Sequence, residues 1–102
     1  MMDDEQLLHA YARERSESAF GELVARHIDF VYSTALRVVN GDSHLAQDVA
    51  QTVFIDLARK AGSLPGDVGL AGWLYRHTPS VSAFRARLAA GGGGRRVETQ
   101  KW

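Results

Sequence analysis

The stretch LAQDVAQTVFIDLA, Leu45 to Ala58, carries the clearest helical pattern in the chain. Its apolar residues recur as adjacent pairs every four positions and therefore share one face of an α-helix. They are Leu45, Ala46, Val49, Ala50, Val53, Phe54, Leu57 and Ala58. Asp42 or Ser43 is a suitable N-cap before the run, and Gly62 ends it. Because a helix with one apolar face must pack against a partner, this stretch decides the fold.

The spacing of apolar residues is also helical before this stretch, and no segment shows the alternation typical of a β-strand. The pattern predicts a first helix from about Asp3 to Glu14. Ser16 is the predicted N-cap of a long second helix, which ends at Asn40 and Gly41. We therefore expect an all-α fold, a compact bundle of about four helices.

The predicted fourth helix begins near Leu70 or Ala71 and then meets Pro79. Proline lacks the amide proton that a continuing helix needs, so we expect a kink or a restart there. Thr78 is a suitable cap for such a restart, because it places Pro79 at the first helical position.

The last part of the chain differs in composition from the rest. Four consecutive glycines at 91–94 are typical of a flexible linker, and the residues after them are mostly polar and basic. We therefore predict a helical domain at residues 1–90 and a Gly-rich, basic, flexible tail at residues 91–102.

Length and composition exclude several classes of protein. With 102 residues, 45% of them hydrophobic, the chain forms one small domain with a modest core rather than a multidomain enzyme. It has no cysteine, which excludes disulfides and thiolate metal sites. Its start, Met1 to Glu5, is acidic where a signal peptide is basic, and no apolar run approaches the roughly 20 residues that span a bilayer. We expect a cytoplasmic protein without a membrane partner.

Charge is distributed unevenly along the chain. Eleven acidic side chains face six basic ones up to Tyr75, whereas six basic side chains face only Glu98 after it. A basic segment is a candidate for contact with phosphates, although a short basic tail also aids solubility.

The usual catalytic patterns are missing. The four histidines, His9, His27, His44 and His77, do not have a metal-ligand spacing, and the glycine run lacks the Lys-Ser/Thr pair of a phosphate-binding loop. We expect no catalytic residue, no metal and no cofactor, and we predict that the protein is not an enzyme.

Three segments carry motifs in register: FGELVARH at 20–27, AQDVAQTVF at 46–54 and GWLYR at 72–76. The first resembles region 2 of bacterial RNA polymerase sigma factors. The second is similar to that family's Ala-Glu-Asp-Leu-Val-Gln-Glu-Val-Phe, and the third to the start of its DNA-facing helix. Together they cover roughly residues 3–77 and resemble the extracytoplasmic-function (ECF) group of the sigma-70 family.

The resemblance implies that the third helix binds core RNA polymerase at the coiled coil of its clamp. The matching positions are Asp48 and Gln51, with Gln47, Thr52 and Ile55 adjacent. Asp48, Gln51, Thr52 and Ile55 are spaced by three and four residues, so they share a face that is largely distinct from the apolar stripe.

The resemblance also implies recognition and melting of the minus-ten promoter element by the loop before the fourth helix and by that helix. Aromatic side chains stack on unpaired bases in such sites, and arginines neutralise phosphates. The candidate DNA-binding residues are Ser63, Leu64, Asp67, Tyr75, Arg76, His77, Ser80 and Arg87. An anti-sigma factor is a further candidate partner, because such proteins cover these same faces.

The chain departs from the family where relatives continue Tyr-Arg-x-Ala-Arg-Asn, because Pro79 and Ser80 replace the basic residue and the asparagine. The alternative function is therefore a helical protein-interaction module that binds the clamp or an anti-sigma factor and has lost promoter recognition. A third alternative is a domain that only preserves the fold. No region 4 domain, the module that reads the minus-thirty-five element, is expected after Gly94.

Overall fold

The computed structural model describes residues 2–64 and 69–98, with side chains as far as residue 90. Within these residues the chain forms four α-helices and no β-strand: α1 (Asp4–Glu14), α2 (Glu17–Val38), α3 (Ser43–Lys60) and α4 (Gly69–Glu98). The predicted all-α fold with about four helices is confirmed. Asp67 lies outside the described residues, and the division of the chain at residue 90 stays a prediction.

Side-chain caps begin the first three helices. Asp3 and Gln6 form a capping box, in which each side chain accepts a hydrogen bond from the other's backbone amide at 2.8 Å. Ser16 Oγ accepts from the amide of Ala19, which confirms the predicted cap of α2. Asp42, rather than Ser43, caps α3 by accepting from the amide of Leu45 at 3.0 Å.

Left-handed backbone conformations turn the chain between α2 and α3. Asn40 and Gly41 have φ angles of 58° and 82°, and the amide of Gly41 donates to the carbonyl of Leu36 at 2.8 Å. This conformation favours asparagine and glycine, so the predicted end of α2 at this dipeptide is confirmed.

The core forms where α3 packs between α2 and α4, with α1 against α2. The apolar stripe of α3 is buried as predicted, and its centre has no exposed surface. The largest fully buried apolar side chains are Leu7 of α1, Leu23 and Val31 of α2, Val49, Val53 and Leu57 of α3, and Leu74 of α4.

Polar contacts hold the start of α1 on α2. The Arg26 guanidinium donates to Asp4 at 3.1 Å, to Glu22 at 2.7 Å and to the carbonyl of Met2 at 2.6 Å, while His27 Nε2 lies 2.8 Å from Asp4 Oδ2. Desolvation opposes the charge on Arg26, but the hydrogen bonds and charges of Asp4 and Glu22 outweigh it and raise the pKa of the guanidinium. Arg26 is therefore engaged in holding the fold.

Helix α4 continues through Pro79 without a break, so the predicted restart capped by Thr78 is wrong. Thr78 and Ser82 are fully buried against the bundle, whereas Pro79 between them is exposed. The proline ring therefore points to solvent, and the helix loses one backbone hydrogen bond there. Ser82 Oγ donates to the carbonyl of Thr78 at 2.7 Å. Packing of this buried face holds α4 together across the proline.

None of the helices that the structure describes is long and apolar enough to cross a membrane.

Replacing Thr78 with valine is expected to raise the free energy of unfolding by about 1 to 3 kcal/mol. Valine has nearly the same shape, and the buried hydroxyl that it removes has no hydrogen-bond partner in the described part of the chain. Urea unfolding followed by circular dichroism measures the change. Ser82→Ala is the matched control, because it removes a buried hydroxyl that does donate, and it should lower stability. A less stable Thr78→Val protein would contradict the prediction.

Candidate protein and nucleic-acid interface

The outer face of α3 presents four of the five predicted polymerase-binding residues to solvent. Gln47, Asp48, Gln51 and Ile55 are exposed. Ile55 is 51% exposed although it is a large apolar residue in a helix whose other face forms the core. Exposed apolar side chains framed by polar ones are typical anchors of protein interfaces.

An apolar groove between α2 and α3 adjoins this face. Gln47, Gln51 and Ile55 line it from α3. The opposite wall consists of α2 side chains, namely Phe20, Val24, Ile28 and Tyr32, with Asp29 beside them. The sequence pattern of α3 alone did not reveal this groove, because its second wall depends on how α2 and α3 pair.

Thr52, the fifth predicted residue, has partners within the protein. Its hydroxyl donates to the carbonyl of Asp48 and accepts from Arg85 Nη2, both at 2.9 Å. Arg85 lies on α4, so this contact joins α4 to α3. Arg85 falls on the opposite side of α4 from Arg76, and its contact with α3 accounts for that position.

His77 makes a second connection between α3 and α4. Its Nε2 lies 2.8 Å from Asp56 Oδ2, and its ring stacks on Trp73 with centroids 4.4 Å apart. Both members of the His77–Asp56 pair are about a quarter exposed. His77, one of the predicted DNA-binding residues, thus faces α3 rather than solvent alone. No group of three or more potential metal ligands occurs among the residues described.

The face of α4 that points away from α3 carries the predicted phosphate and base contacts. Arg76, Ser80 and Arg87 are all exposed, while Leu74 and Thr78 face the core. Because α4 is continuous, Arg76 and Arg87 fall within about 20° of each other, three turns apart. These two arginines therefore lie along one side of the helix.

The described part of the loop before α4 contributes two of the predicted residues. Ser63 is exposed, and its hydroxyl donates to the carbonyl of Lys60 at 3.4 Å, near the end of α3. Leu64 is half-buried and packs against the core. Asp67, the third predicted loop residue, lies outside the described residues.

Tyr75 is the most exposed of the large apolar side chains, at 70%, and it stacks on Phe30 of α2. Sequence reasoning selected Tyr75 but missed Phe30. Phe30 lies outside the three motifs and has no pattern of its own, so only the pairing of α2 with α4 reveals the contact.

The family model for sigma-70 region 2 matches residues 23–81. The match covers more than half of the chain, including all of α3 and the start of α4 with Tyr75 and Arg76. The chain belongs to the sigma-70 region 2 family. This sigma region 2 domain is also 37% identical over 73 residues to the RNA polymerase sigma-H factor of Pseudomonas aeruginosa. The aligned part is 72% of this chain and 37% of that protein, so the chain spans little more than a third of its relative. No solved structure gave a significant match.

In this sigma region 2 domain, we expect His77 and Asp56 to stabilise the packing of α4 on α3 as a pair. His77→Ala and Asp56→Ala should each lower the free energy of unfolding, and the double variant should lose less than the sum. The expected coupling is about 0.5 to 1 kcal/mol, because the pair is partly exposed. Urea unfolding of the four proteins measures it, with His44→Ala as an exposed histidine control. Strictly additive losses would contradict a direct contact.

Proposed function

We propose that this domain acts in transcription initiation as the part of a sigma factor that binds core RNA polymerase and the minus-ten promoter element. The observation that carries the proposal is the family match across α3 and the start of α4, where Asp48, Gln51 and Arg76 are exposed. The outer face of α3 serves the polymerase and the outer face of α4 serves the DNA.

The polymerase face consists of the exposed side chains of α3 and the apolar groove beside them. Asp48 and Gln51 supply polar contacts to the coiled coil of the clamp, and Ile55 supplies an apolar anchor at the edge of the groove. A helical partner fits this arrangement, because an amphipathic helix buries its apolar side in such a groove.

The DNA face uses chemistry suited to an opened promoter. Arg76 and Arg87 neutralise phosphates, Ser80 offers a hydroxyl to base edges, and Tyr75 offers an exposed ring for stacking. The loop before α4 adds Ser63 and Leu64 to the proposed DNA contacts, and Asp67, outside the described residues, is a third candidate by its place in the sequence.

Two of the candidate contact residues act through partners inside the domain. Thr52 holds Arg85, and Asp56 holds His77, so both connect the polymerase-binding helix to the DNA-binding helix. We assign His77 and Thr52 the role of positioning residues, which orient the faces on which Asp48 and Arg76 lie.

The domain acts by binding rather than by catalysis, and it needs no cofactor. Its place of action is the cytoplasm, where polymerase and promoter are found. We place it in the ECF group on the three motifs in register. An anti-sigma factor that covers the α3 and α4 faces would keep it inactive.

A specific observation favours a second candidate function. Pro79 and Ser80 replace the basic residue and the asparagine that relatives carry, and both are exposed on the DNA side of α4. A protein-interaction module that keeps the polymerase or anti-sigma face but no longer reads promoters would tolerate this loss. The two functions differ in whether the domain binds minus-ten DNA.

Replacing Asp48 with arginine together with Gln51→Ala should abolish binding to core RNA polymerase. Reversing a charge at the centre of an interface typically weakens binding by several kcal/mol through like-charge or unpaired contacts. Titration of labelled domain with core polymerase measures the affinity. Glu14→Arg at the end of α1 is the matched control, because it makes the same charge change on an exposed residue of another helix. If the control loses affinity equally, or if the native domain does not bind, the polymerase assignment is wrong.

Arg76→Ala and Arg87→Ala should each weaken the binding of the polymerase-bound domain to promoter DNA and should flatten its salt dependence. Each lost phosphate contact reduces the slope of log K against log salt concentration by about 0.7 to 0.9. The measurement is an affinity titration at several salt concentrations. Arg15→Asn is the matched control, because asparagine tolerates the left-handed conformation of Arg15 and removes the same charge. If the native domain binds polymerase but no minus-ten DNA, the interaction module is the correct function.

A further inference from the structure

Phe30 of α2 and Tyr75 of α4 meet on the surface between the two helices. Their ring centroids are 6.1 Å apart and their planes are inclined by only 16°. Phe30 is 38% exposed and Tyr75 is 70% exposed. The two rings together form a flat aromatic surface that is open to solvent.

Burial does not explain this pair, as a second aromatic pair in the same protein makes clear. Tyr11 and Phe20 lie closer, at 4.6 Å, with a tilt of 40°, and Phe20 packs against the core. Neither Phe30 nor Tyr75 belongs to the buried core. The two exposed rings adjoin each other and so form a contiguous apolar patch, the kind of surface feature that marks interaction sites, rather than isolated exposed residues.

The helices that carry the two rings run side by side in the same direction. Arg26, Leu70 and Ala71 line one shallow depression near the start of α4, and Phe30 meets Tyr75 one turn further along both helices. Arg37 follows Phe30 by seven residues, so it lies within about 20° of Phe30 and about 10 Å further along α2. It therefore lies on the same edge of the domain as the rings.

Charge differs on the two sides of the aromatic surface. The depression near the start of α4 is also lined by the acidic residues Asp3, Asp4 and Glu5, whereas positive charge flanks the rings on the side away from α1. Arg76 follows Tyr75 directly, and Arg76 and Arg37 are both exposed. Neither arginine forms an ion pair among the residues that the structure describes, in contrast to Arg26. Asp29, the acidic neighbour of Phe30, lines the groove toward α3 instead.

We propose that Phe30 and Tyr75 form a platform on which one unpaired base of single-stranded DNA stacks, with Arg76 and Arg37 beside it to contact the adjacent phosphates. The inference rests on the proposed function and adds to it a binding site on α2, outside the loop and α4. Every base has a π-face that can extend a stack of rings, and flanking cations match the charge of its phosphates. A single strand carries one phosphate per nucleotide, so a base stacked on the rings brings negative charge to these arginines.

The test is binding of the full chain, in the presence of core RNA polymerase, to a twelve-nucleotide single strand that carries 2-aminopurine, and to the duplex of the same sequence. Phe30→Ala and Tyr75→Ala should each weaken single-strand binding by about 5- to 100-fold. Phe30→Leu should lose most of this affinity as well, because leucine keeps apolar area but cannot stack.

Two controls test whether the rings themselves are responsible. Tyr75→Phe keeps the ring and should bind within about twofold of the native chain. Leu88→Ala removes an exposed apolar side chain of α4 away from the platform and should have no effect. Duplex binding should be unchanged in all variants, because its bases are already stacked.

The outcomes separate this inference from the proposed function. If the native chain binds the single strand and Phe30→Ala binds it equally well, the platform is wrong and the proposed function stands. If Phe30→Ala and Tyr75→Ala instead lose their affinity for core RNA polymerase, the rings contact protein and the platform is wrong. If the native chain and polymerase together bind no single strand, the DNA role fails and the platform fails with it.

Discussion

The burial of one face of α3 between α2 and α4 is the constraint on which the other features depend. Val49, Val53 and Leu57 have no exposed surface, so α3 cannot rotate without bringing apolar area into water. The direction of its outer face is thereby fixed, and Asp48 and Ile55 must point to solvent. The same packing gives the α2–α3 groove its second wall and gives α4 the surface on which Thr78 and Ser82 are buried.

Sharing α3 also links the two proposed binding faces physically. Thr52 and Asp56 follow Asp48 at spacings of four and eight residues, and they hold Arg85 and His77 of α4. A partner bound to the outer face of α3 would therefore lie about one helix diameter from the side chains that orient α4. Because these contacts are polar and partly exposed, they add modestly to stability, and they join α4 to α3 at two separate points.

The elements that local chemistry determines were predictable from the sequence. Ser16 and Asp42 cap helices, Asn40 and Gly41 end one, and the paired apolar residues of α3 form its buried face. Contacts between helices were not predictable in the same way. Phe30 and Arg85 carry no local signal for their roles, since these arise only from Tyr75 and Thr52 on other helices. The helix restart predicted from Pro79 was wrong, because tertiary packing outweighed the loss of one backbone hydrogen bond.

The continuity of α4 changes what the departure from the family pattern means. A broken helix would have displaced Arg87 from Arg76 and disrupted the proposed DNA face. In the continuous helix Arg76 and Arg87 stay on the same side. The departure from the family pattern then changes only the chemistry of two exposed positions, Pro79 and Ser80. Proline in place of a basic residue removes a cation. Ser80, like the asparagine that it replaces, offers both a hydrogen-bond donor and an acceptor. The departure therefore removes charge from a surface whose geometry is preserved, and it bears on the strength of the proposed DNA binding more than on its geometry.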